Sequence, residues 1–193
     1  MRKSTRWRRK SNPVQVLATD RLHLRRLSLE DASFILGLLN EPSYLHFIGD
    51  KGVRTIRDAR DYILKGPIAN YEQFGFGLYL TELKDSRVPI GICGLLKRDN
   101  LLDVDIGFAF LPQFWSQGYA LEAASAVLTY GRDALGLSRI VAIVSPDNER
   151  SIKVLNKLGL RFERMARWPA DGSEIKVYTS EAKKQGEKNG KNF

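Results

Sequence analysis

The chain has 193 residues, 43% of them hydrophobic, and a formal net charge of +9. This length suits one domain with a substantial core. No apolar run approaches the roughly 18 residues of a membrane-spanning helix. The basic start MRKSTRWRRK precedes no apolar segment and so lacks the pattern of a secretory signal. We therefore expect a cytoplasmic protein with no membrane partner, the alternative being a short arginine-rich transit peptide.

The positive charge is concentrated at the two ends of the chain. Residues 1–12 contain six lysines and arginines and no acid, and residues 181–193 contain four lysines and two glutamates, so residues 13–180 have a net charge of only +1. A nearly neutral domain does not favour a nucleic-acid-binding fold. We expect a single domain of residues 13–180 between two flexible charged tails. The basic N-terminal tail is either a solvated end or an arm that contacts RNA or a ribosome.

Cysteine and histidine are scarce. The single cysteine, Cys93, lies in the apolar stretch PIGICGLL, and the chain has two histidines. One cysteine excludes internal disulfides, and this small set of ligands disfavours a structural zinc site. We expect Cys93 to be buried in a strand and the site to use no metal.

The first third of the chain predicts one strand and two helices. DRLHLRRL alternates leucines with polar residues, as a half-buried strand does. The spacing of SLED (Ser28 to Asp31) and TIRD (Thr55 to Asp58) predicts two helix starts with capping boxes. We expect Asn40-Glu41-Pro42 to end the first helix and Gly66-Pro67 to end the second.

The remainder predicts three strands, a helix, a strand, a helix and a final hairpin. The expected elements are strands at 76–83, 88–96, 104–110 and 139–144, helices from Gly118 to Gly136 and over 148–159, and hairpin strands RFERMARW and EIKVYTS. A right-handed crossover makes strands 104–110 and 139–144 parallel. Alternation along strand 104–110 predicts Ile106, Phe108 and Phe110 on one face and Asp105, Gly107 and Ala109 on the other. We therefore expect one α/β domain whose mixed, mostly antiparallel sheet has six or seven strands flanked by helices.

The stretch FWSQGYALEAA (114–124) places a glycine directly before a helix. The first N–H groups of a helix are unpaired and lie at the positive end of its dipole, so anions bind there. The pattern lacks the glycine spacing of a Rossmann motif and the Lys-Ser/Thr of a P-loop, and a simple turn is the alternative. However, strand 139–144 runs into SPDNERS, a second polar helix start at the same sheet edge. Two such starts indicate a ligand crevice.

These residues resemble the GNAT acyltransferases, which use acetyl-CoA, and most closely the RimJ/RimL type that acetylates the N-termini of ribosomal proteins. The resemblance covers roughly residues 14–180. It rests on TDRLHLRRLSLEDA, IGFAFLPQFWSQGYALEA and VSPDNERSIKVLNKLGLRFE, in this order. Two positions depart from the usual family loop: Trp115, where arginine or glutamine is common, and Ser116, where glycine is frequent.

The resemblance implies how acetyl-CoA, the cosubstrate, is held. The N–H groups of residues 116–120 would bind its pyrophosphate. Strands 104–110 and 139–144 would splay apart around the pantetheine arm, helped by a bulge near Phe108 to Phe110 whose N–H polarises the thioester carbonyl. Asn148 would hydrogen-bond the arm from the other side. The cofactor-binding residues expected are Phe108, Ala109, Phe110, Trp115, Ser116, Gln117, Gly118, Tyr119, Ala120, Asn148 and Ser151.

The resemblance also implies the catalytic groups. Asp105 stands where many relatives have a glutamate base, and its shorter side chain calls for a bridging water; an ordinary strand carboxylate is the alternative. The tyrosine that many relatives use as an acid is replaced by Leu155, so Ser151 is the substitute donor to the leaving thiolate, or a serine without a role. The acceptor amine would lie near Tyr44, His46 and Trp168.

The function expected is N-acetyltransfer from acetyl-CoA to a primary amine by direct attack in a ternary complex. The acceptor favoured by the resemblance is a protein N-terminal amine. Alternatives are a small-molecule amine, such as an aminoglycoside or polyamine, a catalytically weak CoA-binding regulatory module, and a nucleotide-binding domain without acyl chemistry. The protein is expected to be a monomer or homodimer, with ribosome or RNA contact through the basic tail.

Overall fold

The computed structural model describes residues 14–168 and 172–180. The two expected tails, residues 1–12 and 181–193, lie outside the described residues. The strands are β1 Gln15–Ala18, β2 Leu22–Arg26, β3 Leu78–Leu83, β4 Pro89–Leu96, β5 Val104–Phe110, β6 Ile140–Val144, β7 Arg161–Arg167 and β8 Glu174–Thr179. The helices are α1 Ala32–Leu39, α2 Pro42–Phe47, α3 Ile56–Ile63, α4 Ala69–Phe74, α5 Tyr119–Asp133 and α6 Glu149–Lys157. No helix in the described ranges has the length and apolar character needed to cross a membrane.

The described strands form one sheet in the order β1-β2-β3-β4-β5-β6-β8-β7. The expected mixed, mostly antiparallel α/β sheet is confirmed, with β5 and β6 as its parallel pair. Eight strands are present rather than six or seven. Strand β1 was not predicted, because it has only four residues and pairs with β2 at the sheet edge. Such a short edge strand depends on pairing with its neighbour, which no local pattern reveals.

The sequence predicted the starts of the helices better than their ends. In the second capping box the Thr55 hydroxyl accepts from Asp58 N–H (3.1 Å) and the Asp58 carboxylate accepts from Thr55 N–H (2.9 Å). The expected stop at Gly66-Pro67 is wrong. A π-helical turn over Leu64–Ile68 contains Pro67 and continues into α4, because a wider turn accommodates a residue that has no N–H.

The segment after α1 also differs from expectation. Asn40-Glu41-Pro42 ends α1, but Pro42 is at the same time the first residue of α2. Proline is favourable at this position because its missing N–H would have no partner inside the helix anyway. Helix α2 buries Tyr44 in the cluster that also contains Leu80 of β3 and Ile92 of β4.

Two hydrophobic clusters cover the two faces of the sheet. One lies between the sheet and α5, where Ile106 and Phe110 of β5 pack with Val127 of α5. The other lies between the sheet and the helices α1 to α3, where Ala109 contributes from the opposite face of the same strand. This division confirms the expected alternation of β5. Cys93 is fully buried in β4, as expected.

The parallel pair β5–β6 is short. Only Val104↔Ile140 and Asp105↔Val141 are partners, and the strands then diverge. The splay expected between these strands is confirmed. The bulge expected near Phe108 to Phe110 is wrong, because β4 and β5 stay in continuous register from 105 to 110. The gap therefore results from the divergence of two regular strands, and the β6-facing edge of β5 has no partner strand in the described residues beyond Asp105.

The packing of central β4 can be tested with two glycines. A Cβ on Gly94 would lie 2.0 Å from the carbonyl oxygen of Gly77, whereas a Cβ on Gly37, exposed on α1, would meet nothing within 4 Å. We expect Gly94→Ala to lower the free energy of unfolding by about 2–3 kcal/mol. Gly37→Ala should raise it by about 0.5–1 kcal/mol. Urea denaturation of both variants checks this; a Gly94→Ala variant as stable as the wild type contradicts the close approach of β4 to Gly77.

Candidate active site

A cavity of about 430 Å³ opens where β5 and β6 diverge. Its walls come from β5, the loop before α5, the first turn of α5, one side of α6, and the α1–α2 region. Eleven expected site residues line it: Tyr44, Phe108, Ala109, Phe110, Trp115, Ser116, Gly118, Tyr119, Ala120, Asn148 and Ser151. The structure therefore brings together residues that are more than 100 positions apart in sequence.

The loop before α5 adopts an unusual backbone conformation. Ser116 and Gly118 both have positive φ, 62° and 86°. Glycine accepts this conformation readily, whereas serine does so at a cost of about 1 kcal/mol or more. The two positive φ values bend the chain sharply just before α5. The first N–H groups of α5 have no intrahelical partner. This geometry is typical of an anion-binding helix start.

Trp115 fixes the outer side of this loop. Its indole Nε1–H donates to the carbonyl oxygen of Phe110 (2.7 Å), which ties the loop to the end of β5. The guanidinium of Arg150, in α6, lies over the indole ring at 4.7 Å. Trp115 therefore connects β5, the loop and α6. Gln117 does not line the cavity, because its side chain donates away from it to Gln113 O (2.8 Å).

The start of α6 forms the opposite wall. The Asn148 side-chain oxygen accepts from Ser151 N–H at 3.1 Å and caps the helix. Because the Ser151 N–H already occupies one lone pair of this oxygen, the two side-chain amide hydrogens of Asn148 are the groups most readily offered to a ligand. The Ser151 hydroxyl is on a half-buried residue that faces the cavity. Leu155, one turn further, is 2% exposed and part of the core.

The same wall carries positive charge that sequence reasoning missed. Arg150, Lys153 and Lys157 all line the cavity from α6. They recur every three or four residues, which places them on one face of the helix. The i, i+3, i+7 spacing was the signal available in the sequence. A ligand with several negative charges would be favoured beside this face.

Asp105 lies outside the cavity. It is the last β5 residue paired with β6, and its side chain is 1% exposed. Arg98 Nε donates to its Oδ1 at 2.9 Å, and Oδ2 has no partner. Burial raises the pKa of Asp105 above its ordinary value of 3.8, although the charge and hydrogen bond of Arg98 oppose this. Burial thus destabilises the charged form of Asp105, which lies where β5 and β6 are still paired. The partly exposed Arg98 side chain forms an ion pair with it.

The expected acceptor residues do not form one group. Tyr44, from α2, is buried and faces the cavity and Tyr62. His46 points to the rim, where its Nε2 lies 2.9 Å from Asp147 Oδ2 after β6. Trp168, at the end of β7, lies 5.7 Å from the guanidinium of Arg98. Neither His46 nor Trp168 lines the cavity.

Further residues close to Tyr44 were missed from the sequence. Glu41 lines the cavity at the start of α2. It was interpreted as part of a helix stop, so its position in a wall could not be anticipated. Arg98 and Tyr62 belong to separate elements and meet Tyr44 only through the tertiary fold. Among the described residues there is no group of three or more His, Cys, Asp or Glu side chains that could hold a metal ion.

Comparisons with known proteins agree with this architecture. Residues 21–161 match the protein family described as "Acetyltransferase (GNAT) domain". The chain is 32% identical over 154 residues to a Bacillus subtilis (strain 168) protein named "Uncharacterized N-acetyltransferase YoaA", covering 79% of this chain and 86% of that protein.

Solved structures show the same fold. A GNAT-family acetyltransferase from Bacillus anthracis has a TM-score of 0.71 and 26% identity, over 84% of this chain and 95% of that one. RimL, a ribosomal L7/L12 alpha-N-protein acetyltransferase solved in complex with coenzyme A, has a TM-score of 0.68 and 16% identity, over 86% of this chain and 96% of that one.

The raised pKa of Asp105 predicts a pH-dependent stability cost. The folded state holds this proton more tightly than the unfolded chain, so Asp105 lowers stability as pH rises from the ordinary value of 3.8 through its folded pKa. Asp105→Asn keeps an oxygen for Arg98 but has no proton to lose. We expect the melting temperature of the variant, relative to wild type, to be higher at about pH 7.5 than at about pH 4.5. Thermal unfolding at both pH values measures this, and an equal difference at both would contradict the burial argument.

Proposed function

The chain belongs to the GNAT acetyltransferase family, and from this premise we propose that it transfers an acetyl group from acetyl-CoA to a primary amine by direct attack in a ternary complex. The observation that carries the proposal is the wedge, by which we mean the gap that opens between β5 and β6 beyond the pair Asp105↔Val141. An unpaired strand edge, an anion-binding helix start and a basic helix face meet at one cavity. An extended thiol arm attached to a pyrophosphate matches these three features.

The residues present fit acetyl-CoA. The N–H groups of residues 116–120 would hold the pyrophosphate, and the unpaired edge at Phe108, Ala109 and Phe110 would pair with the amide groups of the pantetheine arm. The amide hydrogens of Asn148 would contact the arm from the α6 side. When bound, acetyl-CoA supplies an activated acetyl thioester. A regular strand edge, rather than a bulge, would then provide the N–H that polarises its carbonyl.

The acceptor amine must lose a proton before it attacks. We propose that Asp105 accepts this proton through a bridging water rather than directly, because the carboxylate is buried and does not line the cavity. Burial makes this carboxylate a stronger base than an exposed aspartate. Arg98 opposes the rise in pKa through its charge and its hydrogen bond, both of which favour the charged form of Asp105. Its 31% exposed side chain connects the buried pair to solvent.

The leaving thiolate needs a hydrogen bond or a proton. Leu155 cannot supply one, and the Ser151 hydroxyl at the cavity wall is the donor we assign. A serine is a weak acid, so its contribution is a hydrogen bond to sulfur rather than full proton transfer. The hydroxyl of Tyr119, which also lines the cavity, is the alternative donor.

The acceptor enters from the α2 side. We propose a protein N-terminal amine, in line with the RimJ/RimL type to which the sequence is similar. Tyr44 and the carboxylate of Glu41 would contact the acceptor, since both line the cavity there. An ammonium group is attracted by both a carboxylate and an aromatic face. His46 and Trp168 remain proposed acceptor residues at the rim, and a cytoplasmic location and ribosome contact stay predictions.

A matched pair of glycine variants tests the cofactor site. Gly118 and Gly136 both have positive φ, 86° and 66°, and they stand before and after α5. Gly118→Glu places a side chain and a negative charge where a phosphate would lie, so the Kd for acetyl-CoA should rise at least about tenfold. Gly136→Glu carries the same backbone strain without a phosphate nearby and should leave that Kd unchanged. Calorimetric titration measures the Kd of both variants. An unchanged Kd in a folded Gly118→Glu variant would contradict pyrophosphate binding by this loop.

Variants at Asp105 test the proton path. Asp105→Asn keeps the shape and removes the basicity, so turnover at neutral pH should fall about 10²–10⁴-fold. The Kd for acetyl-CoA should barely change, and alkaline pH should partly restore turnover because more amine arrives unprotonated. Ser151→Ala should cost less, since a thiolate is a tolerable leaving group. Release of free thiol with a panel of N-terminal peptides, aminoglycosides and polyamines is the assay.

The assay has two informative failures. Nearly full turnover by Asp105→Asn would remove the base assignment while the family and cosubstrate stand. Tight acetyl-CoA binding by the wild type with no thiol release from any acceptor would favour the regulatory-module alternative.

A further inference from the structure

Arg21, in the turn between β1 and β2, lies directly against the loop before α5. Its Nε donates to Glu122 Oε2 at 2.7 Å, and its Nη2 lies 2.6 Å from the same oxygen. Its Nη1 donates to the carbonyl oxygen of Gln117 at 3.0 Å. One guanidinium thus connects three parts of the chain: the β1–β2 turn, the loop and the first turn of α5.

The second oxygen of Glu122 is also fully engaged. Its Oε1 accepts from the Thr19 hydroxyl at 2.6 Å and from Arg21 N–H at 2.9 Å. The Arg21 guanidinium stacks over the Tyr119 ring at 4.5 Å. A Cβ on residue 118 would come within 3.2 Å of Arg21 Nη2. The guanidinium therefore supports the loop at the point where Gly118 has its positive φ.

The charges of this cluster matter for an anion. Glu122 is in the first turn of α5, so its carboxylate would oppose a phosphate at the same helix start. Burial alone would raise the pKa of Glu122, but the hydrogen bonds from Thr19 and Arg21 outweigh it and lower the pKa. The carboxylate is therefore charged at neutral pH, and the adjacent guanidinium of Arg21 offsets its charge at this helix start. Lys84, whose Nζ donates to Thr19 O at 3.1 Å, is the other cation at this turn.

We propose that Arg21 is a positioning residue for the pyrophosphate of CoA, which acts by holding the 116–118 loop through Gln117 O and by neutralising Glu122. This inference rests on the proposed function, because it assigns a role within the same cofactor site. Arg21 does not need to touch the ligand. Its effect is transmitted through the loop backbone and through the charge of its partner.

The two members of the ion pair should behave oppositely. Arg21→Met removes the loop contact and leaves Glu122 as an uncancelled negative charge, so the Kd for CoA should rise about 5–20-fold. Glu122→Gln removes that charge and leaves Arg21 beside the site, so the Kd should stay the same or fall by up to about fivefold. Arg21→Met combined with Glu122→Gln should recover most of the lost affinity.

Calorimetric titration of the full chain with CoA, and with pantetheine as a ligand that lacks the pyrophosphate, provides the readout. The proposal requires that Arg21→Met weakens CoA binding more than pantetheine binding. Equal weakening of both ligands, or weaker CoA binding in both single variants, indicates a merely structural role and overturns it. If Arg21→Met does not fold, Arg21→Lys, which keeps the charge but not the forked contact, should show a smaller loss, and Glu122→Gln still tests the sign.

The controls separate this inference from the function it rests on. A wild-type protein that does not bind CoA at all overturns the proposed function and this inference together. A wild type that binds CoA, with an Arg21→Met variant of equal affinity, overturns this inference alone.

Discussion

The site depends on the early separation of β5 and β6. Two residue pairs hold the strands together, and the gap beyond them exposes one edge of β5 to the cavity. Had the strands stayed paired along their length, every backbone group would be satisfied internally and no wedge would exist. Because α5 connects the two strands and starts at the open end, the same divergence that frees the strand edge also brings the helix starts of α5 and α6 to the cavity.

Charge around the wedge is arranged unevenly. The acids nearest the loop and the wedge floor, Glu122 and Asp105, are each held by an arginine. The α6 face that lines the cavity adds three cations. Pairing the acids removes repulsion toward an anionic ligand, and the basic face adds attraction. Although residues 13–180 are nearly neutral as a whole, the electrostatic potential at the cavity therefore favours a ligand with several negative charges.

Local signals in the sequence predicted the elements that depend on local physics. The Thr55–Asp58 capping box, the alternation of β5 and the Gly118 loop all follow from backbone geometry and hydrogen bonding within a few residues. The failures were positions where distant packing decides. Pro67 lies inside a π turn that joins α3 to α4. Pro42 follows the end of α1 as predicted but also starts the unpredicted helix α2. Strand β5 has no bulge near Phe108–Phe110, because it stays in register with β4 while it diverges from β6.

The side of the cavity at the loop before α5 was predicted from the sequence, whereas the side at α2 was predicted only in part. The two sides differ in the kind of group that forms them. Under the proposed function, backbone N–H donors beside the positive φ of Ser116 and Gly118 would hold the pyrophosphate, and a short motif encodes this side of the cavity. On the other side Glu41 is the N-cap residue of α2 and Tyr44 belongs to α2. Tyr44 meets Tyr62 and Arg98, which belong to separate parts of the chain, only in three dimensions. The acceptor wall has no backbone signature, so its residues can vary without changing the fold. Under the proposed function, chemistry and cosubstrate are therefore encoded locally, whereas the choice of amine is encoded by long-range packing.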